Sequence, residues 1–116
     1  GAGGTNVDNP AIAAYRKAHM DITGKVADYW ASANTYASLQ ILEQAIVGAA
    51  TLDREVVTQY IKDNSFETVM GELSFTNNFS NTFWSVGQWQ DGVFRGVKGS
   101  NVIGAVPVRA KTGWSD

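Results

Sequence analysis

The sequence contains no cysteine among its 116 residues. Disulfides, thiolate metal ligands and cysteine nucleophiles are therefore excluded together. The absence of cysteine does not indicate a cellular compartment, because proteins of oxidising compartments can also lack cysteine. Proline is scarce as well, with two residues, and histidine occurs once, as His19.

Groups suited to catalysis are few. His19 lies on one face of a predicted helix and has no neighbouring carboxylate. A histidine in this setting is more typical of a packing residue than of a base or a metal ligand. The 11 acidic residues are dispersed, and no spacing gathers two of them around a metal or a glycosidic oxygen. The glycines at residues 1–4 follow no strand, which a phosphate loop requires. The sequence predicts neither an enzyme nor a metal or cofactor site.

Charge and hydropathy narrow the class of protein further. The net charge of −2 provides no field that would attract a nucleic acid backbone. No apolar run approaches the roughly 20 residues that cross a bilayer. Hydrophobic residues make up 44% and charged residues 17%, which is typical of a soluble globular domain.

Three helices are predicted, at about residues 10–22, 31–48 and 53–63. Asn9 and Pro10 form a start signal for the first, and Gly24 suits the left-handed residue that follows a helix end. Thr51 or Asp53 can cap the third helix. The second helix is predicted to bury one broad apolar face. That face comprises Leu39, Leu42, Ala45, Ile46 and Ala49, opposite Gln40, Glu43 and Gln44.

The pattern becomes extended after the third helix. A strand is predicted at about residues 68–76, interrupted at Gly71. A β-hairpin follows at residues 83–98, because Asp91 and Gly92 favour the two positive φ angles of a type I′ turn. Counting back from this turn predicts four cross-strand pairs: Gln90 with Val93, Trp89 with Phe94, Gln88 with Arg95, and Val86 with Val97.

Aromatic residues are the remaining candidates for a binding site. Tyr29 and Trp30 precede the second helix, where paired aromatics line a pocket about as often as they fill a core. Phe83, Trp84 and Trp89 belong to the hairpin, and core packing is the favoured role for Phe83 and Trp89.

Three motifs occur in a fixed order: YASLQILEQAI, then LDREVVTQYIKDNSFETVMGELSF, then FWSVGQWQDGVF. Together they resemble the C-terminal third of type I periplasmic solute-binding proteins, the leucine/isoleucine/valine-binding class of ABC importer receptors. The resemblance covers about residues 10–114. The TVMG turn and the VGQW–QDG hairpin are the more specific parts.

The resemblance implies an α/β fold in which two lobes hold a solute in the cleft between them. Residues 1–83 would then be the last helices and a strand of the first lobe. Residues 84–116 would form the third hinge crossing and the closing strands of the second lobe. The solute contacts would be Tyr29, Trp30 and Ala31, with Ala31 in place of a family phenylalanine, and the hinge would be Trp84 and Ser85.

The function implied is that of a non-catalytic, extracytoplasmic receptor that delivers an amino acid or a similar solute to a membrane permease. A fragment of this kind is expected to pair with the missing N-terminal part or to self-associate. Two alternatives stay open: the ligand-sensing domain of a regulator, which uses the same two-lobed fold, and a self-associating interaction module.

Overall fold

A computed structural model describes residues 10–28, 31–80, 85–99, 104–111 and 113. Within these residues the chain is mixed α/β, with three helices and two small antiparallel sheets. The helices are α1 (Pro10–Thr23), α2 (Ala31–Ala49) and α3 (Arg54–Asp63). The strands are β1 (Ser65–Thr68), β2 (Gly71–Ser74), β3 (Ser85–Gln90) and β4 (Val93–Gly99).

Helices α1 and α3 each have a local signal at one end. Gly24 follows α1 with φ +68°, and its N–H donates to the Met20 carbonyl at 2.8 Å, as expected for a left-handed end residue. The Asp53 carboxylate accepts from the amides of Glu55 and Val56, each at 3.0 Å. Asp53 is therefore the cap of α3, and the predicted helix limits agree with the structure to within one residue.

The buried face of α2 agrees only in part with the predicted one, because Ala45 is buried and Ile46 and Ala49 pack against the core. The buried residues follow a spacing of four, and they are Ala33, Ala37, Ile41 and Ala45. Leu39 and Leu42, which were predicted to be in the core, are 61% and 44% exposed. The alanines are buried because their small side chains allow other elements to approach the helix closely. The positions of the leucines in the sequence do not show this.

Two glutamines on the predicted polar face of α2 form hydrogen bonds with the hairpin of β1 and β2, the first hairpin. The Gln40 side-chain oxygen accepts a hydrogen bond from the main-chain N–H of Val69 at 2.9 Å. The Gln44 side-chain amide donates to the main-chain carbonyl of Glu67 at 2.8 Å. Both side chains are half-buried. These main-chain groups of the hairpin have no partner in a neighbouring strand, and the two glutamines supply one. The polar face of α2 therefore helps to hold the fold together.

The predicted strand at residues 68–76 is wrong, because β1 and β2 form a hairpin there. Phe66 pairs with Leu73 across the strands, and Thr68 pairs with Gly71. The Thr68 hydroxyl donates to the Gly71 carbonyl at 2.8 Å and accepts from the Met70 amide at 3.0 Å. The chain therefore reverses at Val69 and Met70 instead of continuing past Gly71, whose φ is +95°.

The second hairpin has the predicted turn. Asp91 and Gly92 have φ of +54° and +74°, which are the two positive values of a type I′ turn. The Trp89 and Phe94 rings form the predicted pair, with centroids 5.5 Å apart and an edge-to-face arrangement. Trp89 is 66% exposed, so its predicted role in core packing is wrong.

The predicted pairing of Val86 with Val97 is wrong. Val86 pairs with Lys98 while Gly87 pairs with Gly96, so Val97 is the extra residue of a β-bulge. The Phe94 ring lies where a Cβ at position 87 would be. A glycine is required at position 87 by this close approach, and glycines in a strand commonly accompany a bulge.

Residues 104–111, the C-terminal strap, lie along the second hairpin. The Gln88 side chain accepts from the Arg109 amide at 2.9 Å and donates to the Arg109 carbonyl at 2.8 Å. The Gln90 amide donates to the Pro107 carbonyl at 3.0 Å. The Arg109 guanidinium also forms an ion pair with Asp91 at 2.7 Å. One main-chain bond joins the strap to β4, from the Val106 N–H to the Gly96 carbonyl at 3.0 Å, and side-chain amides provide the other hydrogen bonds.

Two groups of buried side chains form the core. The larger lies between α2, α3 and the β1–β2 hairpin and comprises Ile41, Ala45, Val57, Phe66 and Leu73. The smaller joins α1 to α2 through Ile12, Ala33, Ala37 and Val69. The Cα radius of gyration is 16.8 Å, whereas a compact domain of this length has about 13 Å. The chain is therefore elongated.

The contact between α2 and α3 provides a first stability prediction. A Cβ at position 48 would overlap the ring and hydroxyl of Tyr60. Overpacking costs about 1–3 kcal/mol, and the better helix propensity of alanine returns about 1 kcal/mol. We expect Gly48→Ala to lower the free energy of unfolding by about 1 kcal/mol in urea denaturation. In a Tyr60→Leu background the same substitution is expected to be stabilising, and stabilisation in the natural background would contradict the overlap.

Candidate functional site

A groove between α1 and α2 is the candidate site, and it has a volume of about 700 Å³. We call it the α1–α2 groove. Its apolar and aromatic lining includes Tyr15, Ile22, Tyr36 and Leu39, and Ala31 also lines it. A groove of this size lies within the range of small-molecule sites.

An aromatic cluster lines this groove. The Tyr15 ring centroid lies 5.3 Å from that of Tyr36 and 6.1 Å from that of His19, and both ring pairs are tilted. Tyr15 and His19 are four residues apart on α1 and so share one face, while Tyr36 comes from α2. Because Ile12 of α1 packs on Ala33 and Ala37 of α2, the core holds the two helices, and the cluster they carry, in place.

His19 has a structural role at the end of α1. Its Nδ1 lies 3.0 Å from the Lys25 carbonyl and 3.2 Å from the Thr23 hydroxyl. The Thr23 hydroxyl also donates to the His19 carbonyl at 2.7 Å. The imidazole is therefore held through Nδ1 by the chain reversal that follows the helix.

Polar groups lie at the end of the groove that is near the N-terminus of α2, and they include the cap of that helix. The Asp28 carboxylate accepts from the amides of Ala31 and Ser32, so it caps the first turn of α2. The Ser32 hydroxyl is buried without a hydrogen-bond partner. The groove therefore combines apolar walls with a few polar groups near one end, an arrangement that orients a bound molecule.

The structure places two of the five residues that the sequence singles out. Ala31 is the first residue of α2 and lines the groove. Ser85 begins β3 and pairs with Gly99. Tyr29, Trp30 and Trp84 lie outside the described residues, as does the boundary at residues 83 and 84.

Sequence reasoning missed the contribution of α1 to this groove. Ile12, Tyr15 and His19 have the spacing of one helix face, which is a visible signal. That spacing does not show that Tyr15 meets Tyr36, because the contact depends on how α1 and α2 pack.

The described residues contain no group of three or more histidine, aspartate or glutamate side chains that could hold a metal ion. Among the same residues, no helix has the length and apolarity needed to cross a membrane. Comparison of the chain with protein-family models, with curated proteins and with solved structures finds no match.

Proposed function

We propose that this chain is part of a solute-binding receptor of an ABC importer and contributes one wall of the site for an amino acid or a similar small molecule. The observation that carries the proposal is the α1–α2 groove beside Ala31. The motif resemblance implies a solute contact at that same position. The receptor would be extracytoplasmic and would present its closed, solute-bound form to the permease.

The composition of the groove supports a contact with the side-chain end of the solute. Its wall at Ile22, Tyr36 and Leu39 is apolar and aromatic, and the lining residues that the structure describes include no lysine or arginine. Recognition of a carboxylate usually uses such cations or free main-chain amides. The charged ends of an amino acid would therefore be bound by another part of the receptor.

The elongated shape supports the proposal that further protein covers this chain. Outside the α1–α2 groove, large apolar side chains are exposed on several elements, and they include Val47, Leu52 and Trp89. Exposed apolar groups beyond scattered single residues are typical of interaction surfaces. We propose that the rest of the receptor packs against them.

Calorimetry with a panel of amino acids tests the proposal. The natural gene product that contains these residues is expected to bind one of leucine, valine, glutamine or phenylalanine, while the 116-residue chain alone binds at least tenfold more weakly. Ala31→Trp is expected to weaken binding by the natural product at least tenfold, because the indole would fill the groove. Ala13→Trp is the matched control, since Ala13 is exposed on α1 and lies outside the groove lining.

Two results would contradict the proposal. Equal affinity of the 116-residue chain and the natural product would show that no second lobe takes part. Equal loss of affinity in the two tryptophan variants would show that the groove is not the contact surface.

A further inference from the structure

A second cavity lies on a different face of α2 and is bounded by β2 and the turn after it. We call it the α2–β2 cavity, and its volume is about 280 Å³. Its α2 residues include Asn34, Ala37 and Ile41, which share a helix face by their spacing of three and four. Ala31, Thr35 and Leu39 of the α1–α2 groove share another face. The two sites are therefore separate.

The walls of the α2–β2 cavity are largely apolar. Ile41 and Leu73 are buried core residues, and Phe75 packs against the same cluster. Phe79 adds a further ring. It is held by a tight turn in which the Thr76 and Phe79 main chains exchange hydrogen bonds of 2.9 and 3.0 Å.

Two buried oxygens at this cavity have no hydrogen-bond partner, namely Asn34 Oδ1 and Ser80 Oγ. Buried polar atoms are nearly always paired, and an unpaired one destabilises the fold. The Ser38 hydroxyl, in the same lining, differs because it donates to the Asn34 carbonyl at 2.9 Å. The two unpaired oxygens thus mark places where a bound molecule can supply the missing partner.

We propose that the α2–β2 cavity binds a small neutral molecule that joins an apolar group to a hydrogen-bond donor, with Asn34 and Ser80 as its polar partners. The described lining contains no charged side chain, which favours a neutral molecule. Asn34 Oδ1 accepts from the donor, and the Ser80 hydroxyl donates or accepts. Because both oxygens are buried, binding requires the Asn34 and Ser80 side chains to change rotamer and turn their oxygens towards the cavity.

The volume limits the size of the molecule. Water occupies about 30 Å³ in the liquid, so the cavity equals about nine waters, and a molecule of roughly ten non-hydrogen atoms fits. Primary amides and alcohols with a phenyl or branched aliphatic group meet this description. This inference does not depend on the receptor proposal, because it uses neither Ala31 nor the α1–α2 groove.

Titration of the 116-residue chain, followed by NMR, tests the inference with benzamide and toluene as probes. Benzamide has the donor and toluene lacks it. Benzamide is expected to shift the signals of Asn34 and Ser80 saturably and to bind at least tenfold more tightly than toluene. Asn34→Leu is expected to abolish this preference, whereas Ser38→Ala, the matched control, retains it because the Ser38 hydroxyl is already satisfied within the helix.

A second measurement uses the protein without any probe. Ser80→Ala removes an unpaired hydroxyl outside the helices, so it is expected to raise Tm by about 2–6 °C. A lower Tm would show that Ser80 has a partner, and the inference would be wrong. Equal affinity for toluene and benzamide, or a preference that survives Asn34→Leu, would also overturn it.

Discussion

Phe66→Ala is expected to lower the free energy of unfolding by about 3–5 kcal/mol, as measured by urea denaturation. Phe66 is 2% exposed and lies in the larger core group with Ile41 and Val57. It pairs with Leu73 across the β1–β2 hairpin, and its ring centroid lies 6.4 Å from that of Tyr60. Truncation therefore leaves a cavity where α2, α3 and the first hairpin meet.

Phe79→Ala is the control for this experiment. Phe79 is the same residue type but is 53% exposed, so its truncation is expected to cost less than about 1 kcal/mol. If the two variants lost the same stability, Phe66 would not be the centre of the core.

Gln40→Leu is expected to lower the free energy of unfolding by about 1–3 kcal/mol. The substitution removes the acceptor of the Val69 amide, and Val69 is only 5% exposed. A buried N–H that loses its partner pays the full cost of desolvation. The leucine has a similar volume and equal or better helix propensity, so the loss measures the hydrogen bond rather than the helix.

Gln44→Leu is the matched control, because Gln44 is also half-buried on α2 and also bonds the first hairpin. Its partner is the carbonyl of Glu67, an exposed residue, so water can replace the lost hydrogen bond. We expect a loss below about 1 kcal/mol. Equal losses in the two variants would show that burial of the Val69 amide does not decide the outcome.

Local signals allowed much of the fold to be predicted. Pro10, Gly24 and Asp53 are signals for the few residues beside them, so the limits of α1 and the start of α3 follow from the sequence. The turn at Asp91 and Gly92 is equally local, because the two φ angles fix the first pairs of the hairpin.

Features that depend on packing could not be predicted in the same way. The core face of α2 consists mainly of alanines, whose burial depends on what approaches the helix. The reversal at Val69 and Met70 lies in the TVMG motif, which the resemblance treats as a turn, but the residue pattern predicts a strand there. It has no Asn-Gly or Asp-Gly pair and depends on the Thr68 hydroxyl. The bulge at Val97 shifts the register beside Gly87, over which the Phe94 ring packs, and this packing has no signal in the local sequence.

The candidate sites were predicted only in part, for the same reason. The motif resemblance led to Ala31, but the α1 wall of its groove depends on how two helices pack. The unpaired oxygens of Asn34 and Ser80 have no sequence signal, because burial of a single polar atom is set by the complete fold.

The attachment of the C-terminal strap has a consequence for how its sequence can vary. Gln88 and Gln90 form their hydrogen bonds to the strap with main-chain atoms, and every residue except proline has both the N–H and the carbonyl. Side chains at most strap positions can therefore drift through mutation while the segment keeps its course along the hairpin. Selection on this attachment would act on the two glutamines and on the charge pair between Arg109 and Asp91, and hardly at all on Val108, which is 68% exposed.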